Sequence, residues 1–383
     1  MHLKFRNVND AFETLMRRIE TGAIPTVKRD SRNGPVRVIP EPLTITYERP
    51  YERVLLNPAR DCNPFFHLYE AMWMLAGRND VESLAFYNPR MREFSDDGKT
   101  LNGAYGYRWR YYDNSGRTYY STVDQLNVLI GHLKECPNSR RAVLQMWDVE
   151  DDLLKIGEGN CTCTASKDHY PGCRVYRQSK DVCCNLSVKF SLRKTCTQLP
   201  DYADKTDGIY EDVLDMTVFN RSNDLLWGTL GANYVHFSFL QDYVASALGV
   251  QIGVYNQISD DAHVYEERFT PEKWFDKTYI GDIFAYKDYR HSNLYVLDRR
   301  ERFDRRCNIL VDNHPTRLLK GQRQEHEGWV DNTFIDNTVE PALVAFFEYK
   351  ELKETETAIE TARTIQEPDW QVACVEWLKR RVK

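Results

Sequence analysis

The stretch Leu214–Gly228, LDMTVFNRSNDLLWG, followed by Ala232–Leu248, ANYVHFSFLQDYVASAL, decides the fold. Leu214–Phe219 reads as a strand, Arg221–Asp224 as a polar break, and Ala232–Leu248 as a long helix. The helix should end at Gly249 in a left-handed C-cap. Gly253–Ser259 then reads as a further strand, with Asp261-Ala262-His263-Val264-Tyr265 just beyond it. Side chains alternate along a strand, so His263 and Tyr265 share one face and can reach one ligand. In Arg221-Ser222-Asn223-Asp224 a guanidinium fork stands beside a hydroxyl, a pairing that suits a phosphate dianion. Taken alone, such a segment is as readily a polar turn, and a His–Tyr pair as readily structural.

Working outward, Val8–Glu20 reads as an amphipathic helix, and the polar Lys28–Pro40 as a loop. Phe65–Ala76, FFHLYEAMWMLA, has helical spacing and is apolar almost all round, so it is expected to be a buried core helix. Arg141–Trp147 and Leu186–Leu192 read as strands, the second by clear alternation. Asp151–Lys180 and Lys194–Glu211 read as insertions. From about Arg300 the composition turns strongly charged, and Glu351–Arg363 and Asp369–Arg381 read as surface helices. The 383 residues suffice for a large core, and no long apolar run predicts a membrane span or an export signal. Ten cysteines at irregular spacing in such a chain are expected to be reduced thiols in a cytoplasmic setting. A net charge of −6 disfavours general nucleic-acid binding, although it leaves room for a local anion pocket.

Further residues carry chemistry. Ser139-Arg140-Arg141 leads into an apolar strand. Val182-Cys183-Cys184-Asn185 leads into LSVKFSL. Glu70 sits in an otherwise apolar helix, where a carboxylate is costly unless it is paired or functional. Asn102-Gly103-Ala104-Tyr105-Gly106 precedes Trp109-Arg110, and Asp30-Ser31-Arg32-Asn33-Gly34 forms a small polar cluster. Cys161, Cys163, His169 and Cys173 suggest a zinc-stabilised interaction protein as a competing class, although their spacing fits no standard zinc pattern.

Taken in order, these segments resemble the thymidylate synthases and their sister pyrimidine hydroxymethylases, from about Thr21 to Tyr265. The resemblance implies an α+β fold, a large mixed β-sheet packed with helices, in one catalytic domain over residues 1–383. One sheet face would form a homodimer interface. It implies a pyrimidine nucleoside monophosphate as substrate and 5,10-methylenetetrahydrofolate as one-carbon donor, with no nucleic acid or membrane partner and no metal. Matched through Phe190, Cys184 is the nucleophile that adds to C6, with Cys183 and Asn185 standing where the family has Pro and His. Glu70 organises proton-carrying waters, Tyr105 sits beside the base, and Asp224 faces pyrimidine and folate. Arg32, Arg221 and Ser222 hold the phosphate, joined by Arg140 and Arg141 from the other protomer. His263 and Tyr265 bind the sugar hydroxyl.

The family reaction passes through an exocyclic methylene on C5. Thymidylate synthases reduce it with a folate hydride, whereas hydroxymethylases let water attack it. The family's water-shielding Trp falls at Met91 here. Asn185 is a second departure, and a third is the absence of a short apolar tail, since the chain continues about 118 residues past Tyr265. These favour hydroxymethylation, with reductive methylation as the alternative. The residue reading the pyrimidine edge counts to Ala232, or to Asn233 with one inserted residue. An amide there favours dUMP over a cytosine nucleotide.

Overall fold

A helix without a polar face needs neighbours on every side, and Phe65–Leu75 has them. In the computed structural model, which describes residues 1–31, 33–113, 122–153, 156–157, 175–176, 179–198, 209–275, 286, 300–312 and 334–382, the main elements follow in this order. They are β1 (His2–Phe5), α1 (Val8–Glu20), β2 (Val27–Ser31), β3 (Gly34–Val38), β4 (Leu43–Tyr47), α2 (Pro64–Leu75), α3 (Tyr105–Arg110), α4 (Gln125–Glu135), β5 (Val143–Gln145), β6 (Asn185–Gln198), β7 (Ile209–Asp224), α5 (Ala232–Leu248) and β8 (Gln251–Tyr265). The C-terminal part adds α6 (Arg300–Asp312), α7 (Glu340–Phe347), α8 (Thr355–Ala362) and α9 (Pro368–Lys379). No helix among the described residues is long and apolar enough to cross a membrane.

The sheet runs β1-β4-β8-β7-β6-β5, with the β2–β3 hairpin joined to β8 through β3. Pairs β1/β4 and β7/β8 are parallel and the others antiparallel, so the sheet is mixed, as expected. A parallel pair needs a crossover, and α5 supplies it between β7 and β8. Gly249 ends α5 at φ +72°, the left-handed cap read from the sequence. Along β8, Gly253, Tyr255, Gln257 and Ser259 are buried while Ile252, Val254, Asn256 and Ile258 are half-buried. One sheet face is therefore packed and the other partly open.

Four sequence readings change. Lys28–Pro40 is not a loop: β2 and β3 pair from Val27↔Val38 to Ser31↔Gly34, and β3 finds hydrogen-bond partners in β8. Turn residues at Ser31–Gly34 had hidden the strands on either side. The Arg141–Trp147 strand shrinks to Val143–Gln145 at the sheet edge. The flanks of the 194–211 insertion belong to the sheet, with Lys194↔Asp212 and Thr195↔Glu211 continuing the β6–β7 ladder.

The terminal helices are also not surface elements. They cover the outer side of α2, which the sheet and α5 leave open. Phe346 of α7 lies between Phe65, at 5.2 Å between ring centroids, and Tyr87, stacked at 4.8 Å. Trp377 of α9 meets Phe65 edge-on at 5.4 Å, and Trp370 stacks on Phe239 of α5. The Cys307 thiol of α6 approaches the Met72 sulfur at 3.8 Å. Charged residues on the outer faces concealed these buried aromatics from a composition-based reading.

Candidate active site

The strand register brings the two polar segments together. β7 and β8 pair as Ser222↔Asp261 and Asp224↔His263, so RSND and DAHVY lie side by side at one end of the parallel pair. His263 and Tyr265 meet edge to face at 5.5 Å, on the same side of β8 as expected. β3 flanks them, with Val38↔His263 and Val36↔Tyr265, so the hairpin turn is carried along the same strand end. Within that turn Ser31 Oγ donates to Gly34 O, while Arg32 itself lies outside the described residues. Arg29 pairs with Asp261.

Asp224 terminates β7, and its Oδ1 accepts the Leu226 N–H at 2.9 Å. Burial pushes its carboxyl above the ordinary range, opposed by that backbone bond and by the charges of His263 and Arg60. The turn that follows folds tightly because Gly228 has no side chain. A Cβ there would lie 1.9 Å from Asn223 Oδ1 and 3.1 Å from Asn233 Nδ2. This places Asn233, in the first turn of α5, beside the RSND segment, while Ala232 is buried in the core.

Arg221 fastens the cysteines. Its backbone N–H donates to Cys184 O at 3.0 Å, its Nε to Cys183 O at 2.8 Å, and an amino group to Val182 O at 3.3 Å. The guanidinium also lies over the Trp147 ring at 5.4 Å. The two thiols differ in kind. Cys183 is 1% exposed, its Sγ lies 3.6 Å from Gly103 O, and burial pushes its thiol well up. Cys184 is only part-buried, and its backbone hydrogen-bonds the Tyr105 hydroxyl. Tyr105 is positioned by close helix packing: a Cβ on Gly106 would lie 2.0 Å from Met74 O, so only Gly lets α3 approach α2.

The floor beneath the cysteines is built from charged groups. Arg108 is buried and holds Asp152 together with the carbonyls of Met146 and Asn102. Asp181 accepts the Gly103 N–H at 2.7 Å, and burial raises its carboxyl to about 6. Asn185 is fully buried, and neither amide atom finds a partner among the described residues.

Glu70 faces α5 rather than solvent. Its Oε2 lies 3.0 Å from His236 Nε2, with the side chains 8% and 1% exposed. The contact is close but not aligned as a hydrogen bond, and neither atom has another partner among the described residues. One turn earlier on α2, burial and the nearby charges of His236 and Arg60 lower His67 to about 3, keeping it neutral. Met91 is buried at the start of the short helix Met91–Phe94.

Arg140 and Arg141 stand apart from this cluster. They are exposed ahead of β5, the edge strand, two strands from β7 across β6. They line an open hollow with Cys136, Pro137, Asn138 and Ser139, and make no ion pair among the described residues. Cys161, Cys163, His169 and Cys173 lie outside the described residues, within which no metal-binding cluster occurs. Cys62, Cys136, Cys183, Cys184, Cys307 and Cys374 are free thiols.

A sequence profile described as thymidylate synthase matches residues 12–274. The chain belongs to the thymidylate synthase family. "Deoxyuridylate hydroxymethyltransferase" of Pseudomonas phage M6 is 45% identical over 265 residues, which are 69% of this chain and 62% of that relative. The protein of the same name from Bacillus phage SP01 is 35% identical over 226 residues, 58% of this chain and 49% of its own. "Thymidylate synthase" of Wigglesworthia glossinidia brevipalpis is 27% identical over 154 residues, 38% of this chain and 55% of its own. The chain thus spans 49% to 62% of the length of the phage relatives it matches.

The thymidylate synthase match ends at Trp274, ahead of the helices that cover α2. Sequence reasoning passed over His236, whose only signal was its place one turn after Asn233 on α5. It also missed Arg108 and Asp152, which meet across distant segments, and Trp147 under Arg221.

Proposed function

We propose that this chain transfers a one-carbon unit to C5 of dUMP and lets water complete the reaction, giving 5-hydroxymethyl-dUMP. The observation that carries the reading is the convergence on one strand end of a part-buried thiol (Cys184), an arginine fastened to it (Arg221), a tyrosine hydroxyl (Tyr105) and the Ser222/His263/Tyr265 face. The names of the phage relatives agree with it. In this reading the Cys184 sulfur bonds to C6, which makes C5 nucleophilic. Arg221 and Ser222 hold the phosphate with Arg32, and His263 and Tyr265 hold the sugar. Asn233 reads the pyrimidine edge, and Glu70 moves protons through water.

When bound, 5,10-methylenetetrahydrofolate supplies the one-carbon unit. The residues fit it: Asp224 is a half-buried carboxyl beside Trp227, which is 37% exposed. A carboxyl and a planar ring together suit the hydrogen-bonding edge and the face of a pterin. In this reading Met91 stands where the family has the indole that would keep water out. Arg140 and Arg141, exposed and without ion pairs among the described residues, serve the phosphate of a second copy, which makes the working unit a homodimer, in a cytoplasmic setting. The C-terminal helices complete one domain.

The test is to offer dUMP and dCMP separately with the folate and to identify the nucleotide products by mass spectrometry. Conversion of dUMP alone, to 5-hydroxymethyl-dUMP, supports the reading, whereas thymidylate would contradict it. Conversion of dCMP alone would overturn the role of Asn233, and binding without turnover would mark a degenerate homologue.

A further inference from the structure

Glu70 is a carboxylate on a helix buried on nearly every side, and its close neighbour is another buried titratable group. His236 Nε2 lies 3.0 Å from Glu70 Oε2, and the His236 side chain is 1% exposed. Both ring nitrogens of His236 and Oε2 of Glu70 lack an aligned hydrogen bond among the described residues. Buried polar atoms are normally satisfied, so two adjoining side chains with unsatisfied polar atoms point to a task rather than to packing. Other groups near His236 do not explain it. His67, one turn away on α2, is held neutral by burial and by neighbouring positive charge, and Arg60 before α2 is bonded to Leu226 O. Phe237, the next residue on α5, lies 6.0 Å from the Tyr105 ring, and Tyr105 meets the Cys184 backbone. His236 and Arg60 both act electrostatically on His67, and Arg60 acts also on the Asp224 carboxyl, so the pair lies in the same neighbourhood as Asp224.

We propose that His236 is a positioning residue that orients Glu70 and shares its proton, so that the two act as one base for the attacking water. The inference rests on the hydroxymethyl-transfer reading above. In the step it serves, the water oxygen bonds to the exocyclic carbon on C5, and the C5=CH2 electron pair moves toward O4. Return of that pair restores C5=C6 and breaks the C6–S bond, releasing the Cys184 thiolate. The water proton passes to the Glu70 carboxylate, where the His236 imidazole shares it. Only water is consumed. Reduction of the methylene by hydride would require no such base.

Two measurements test the pair. In the full-length enzyme, the His236 imidazole is titrated by NMR before and after Glu70→Gln. A carboxylate at this distance favours the imidazolium, so its removal should move the His236 NMR titration to lower pH. In turnover, His236→Gln keeps a hydrogen-bonding side chain but cannot carry the proton. It should lower kcat by about tenfold or more and flatten the acid limb of the kcat profile, with dUMP affinity held within about twofold. An unchanged His236 titration in Glu70→Gln would overturn the proposal, as would a His236→Gln enzyme with normal kcat and pH profile. Loss of dUMP affinity with unchanged kcat would make His236 merely structural and overturn it too. If the NMR coupling holds while the native enzyme leaves dUMP unconverted, the pair stands and the substrate reading falls.

Discussion

Replacing each of the paired cysteines by serine separates two thiols that adjoin in sequence and differ in environment. Cys184 is part-buried against Tyr105 and Arg221, whereas Cys183 is 1% exposed with its thiol pushed well up by burial. A serine hydroxyl is a poor substitute for a thiolate at a soft carbon, so Cys184→Ser should lower turnover by at least about a thousandfold. Cys183→Ser should be mild. The new hydroxyl keeps the Gly103 carbonyl as its acceptor, in place of a sulfur 3.6 Å away, and the cost to stability should be about 1 kcal/mol or less. Its turnover should therefore stay within about threefold of the native enzyme. The assay is steady-state turnover, paired with mass spectrometry of the adduct formed with 5-fluoro-dUMP, whose C5 fluorine cannot leave as a proton does. The adduct should map to Cys184. Loss of activity from Cys183→Ser with retention in Cys184→Ser would show the register to be wrong by one residue.

Three further outcomes are expected. Asp369 is fully buried with its carboxyl raised to about 7, against an unfolded value of about 3.9, so the native protein is favoured below the lower value and loses that advantage as pH rises through the higher. Asp369→Asn should then melt higher than the native protein at pH 8, by up to about 4 kcal/mol of stability, with no difference at pH 4; a native protein that gains on the variant as pH rises contradicts this. Arg140→Ala subunits mixed with Cys184→Ser subunits should recover one working site per heterodimer, and absence of complementation rejects shared sites. Phe346→Ala should cost about 3–5 kcal/mol in denaturant unfolding, because the ring is 3% exposed between Phe65 and Tyr87; a near-neutral result would mean that the C-terminal helices are not part of the core.

Local patterns carried far in this sequence where one physical signal dominates. α1 and α5 run from Val8 to Glu20 and from Ala232 to Leu248 as read, because periodicity and the Gly249 cap agree. The resemblance assigns RSND and DAHVY to one nucleotide, and the structure sets the two segments side by side through the β7–β8 register. What stayed hidden depends on contacts between distant segments. The β2–β3 hairpin is held by β8, far along the chain, and its own sequence carries mostly turn residues. The aromatic faces of α7 and α9 are masked by charge in composition, and become intelligible only once α2 is seen to need cover. His236 gave no sign by itself, since its meaning is the carboxylate of Glu70 across the helix interface.

The central claim is that water, rather than hydride, completes the reaction on dUMP. Turnover in solvent labelled with heavy oxygen tests it most directly, with the mass of the nucleotide and the dihydrofolate absorbance read from one reaction. The account predicts 5-hydroxymethyl-dUMP carrying the heavy oxygen, without a matching yield of dihydrofolate. Met91→Trp should shift part of the product toward the methylated nucleotide, since a barrier change of about 1.4 kcal/mol alters the ratio tenfold. Unlabelled thymidylate with one dihydrofolate per turnover would contradict the account.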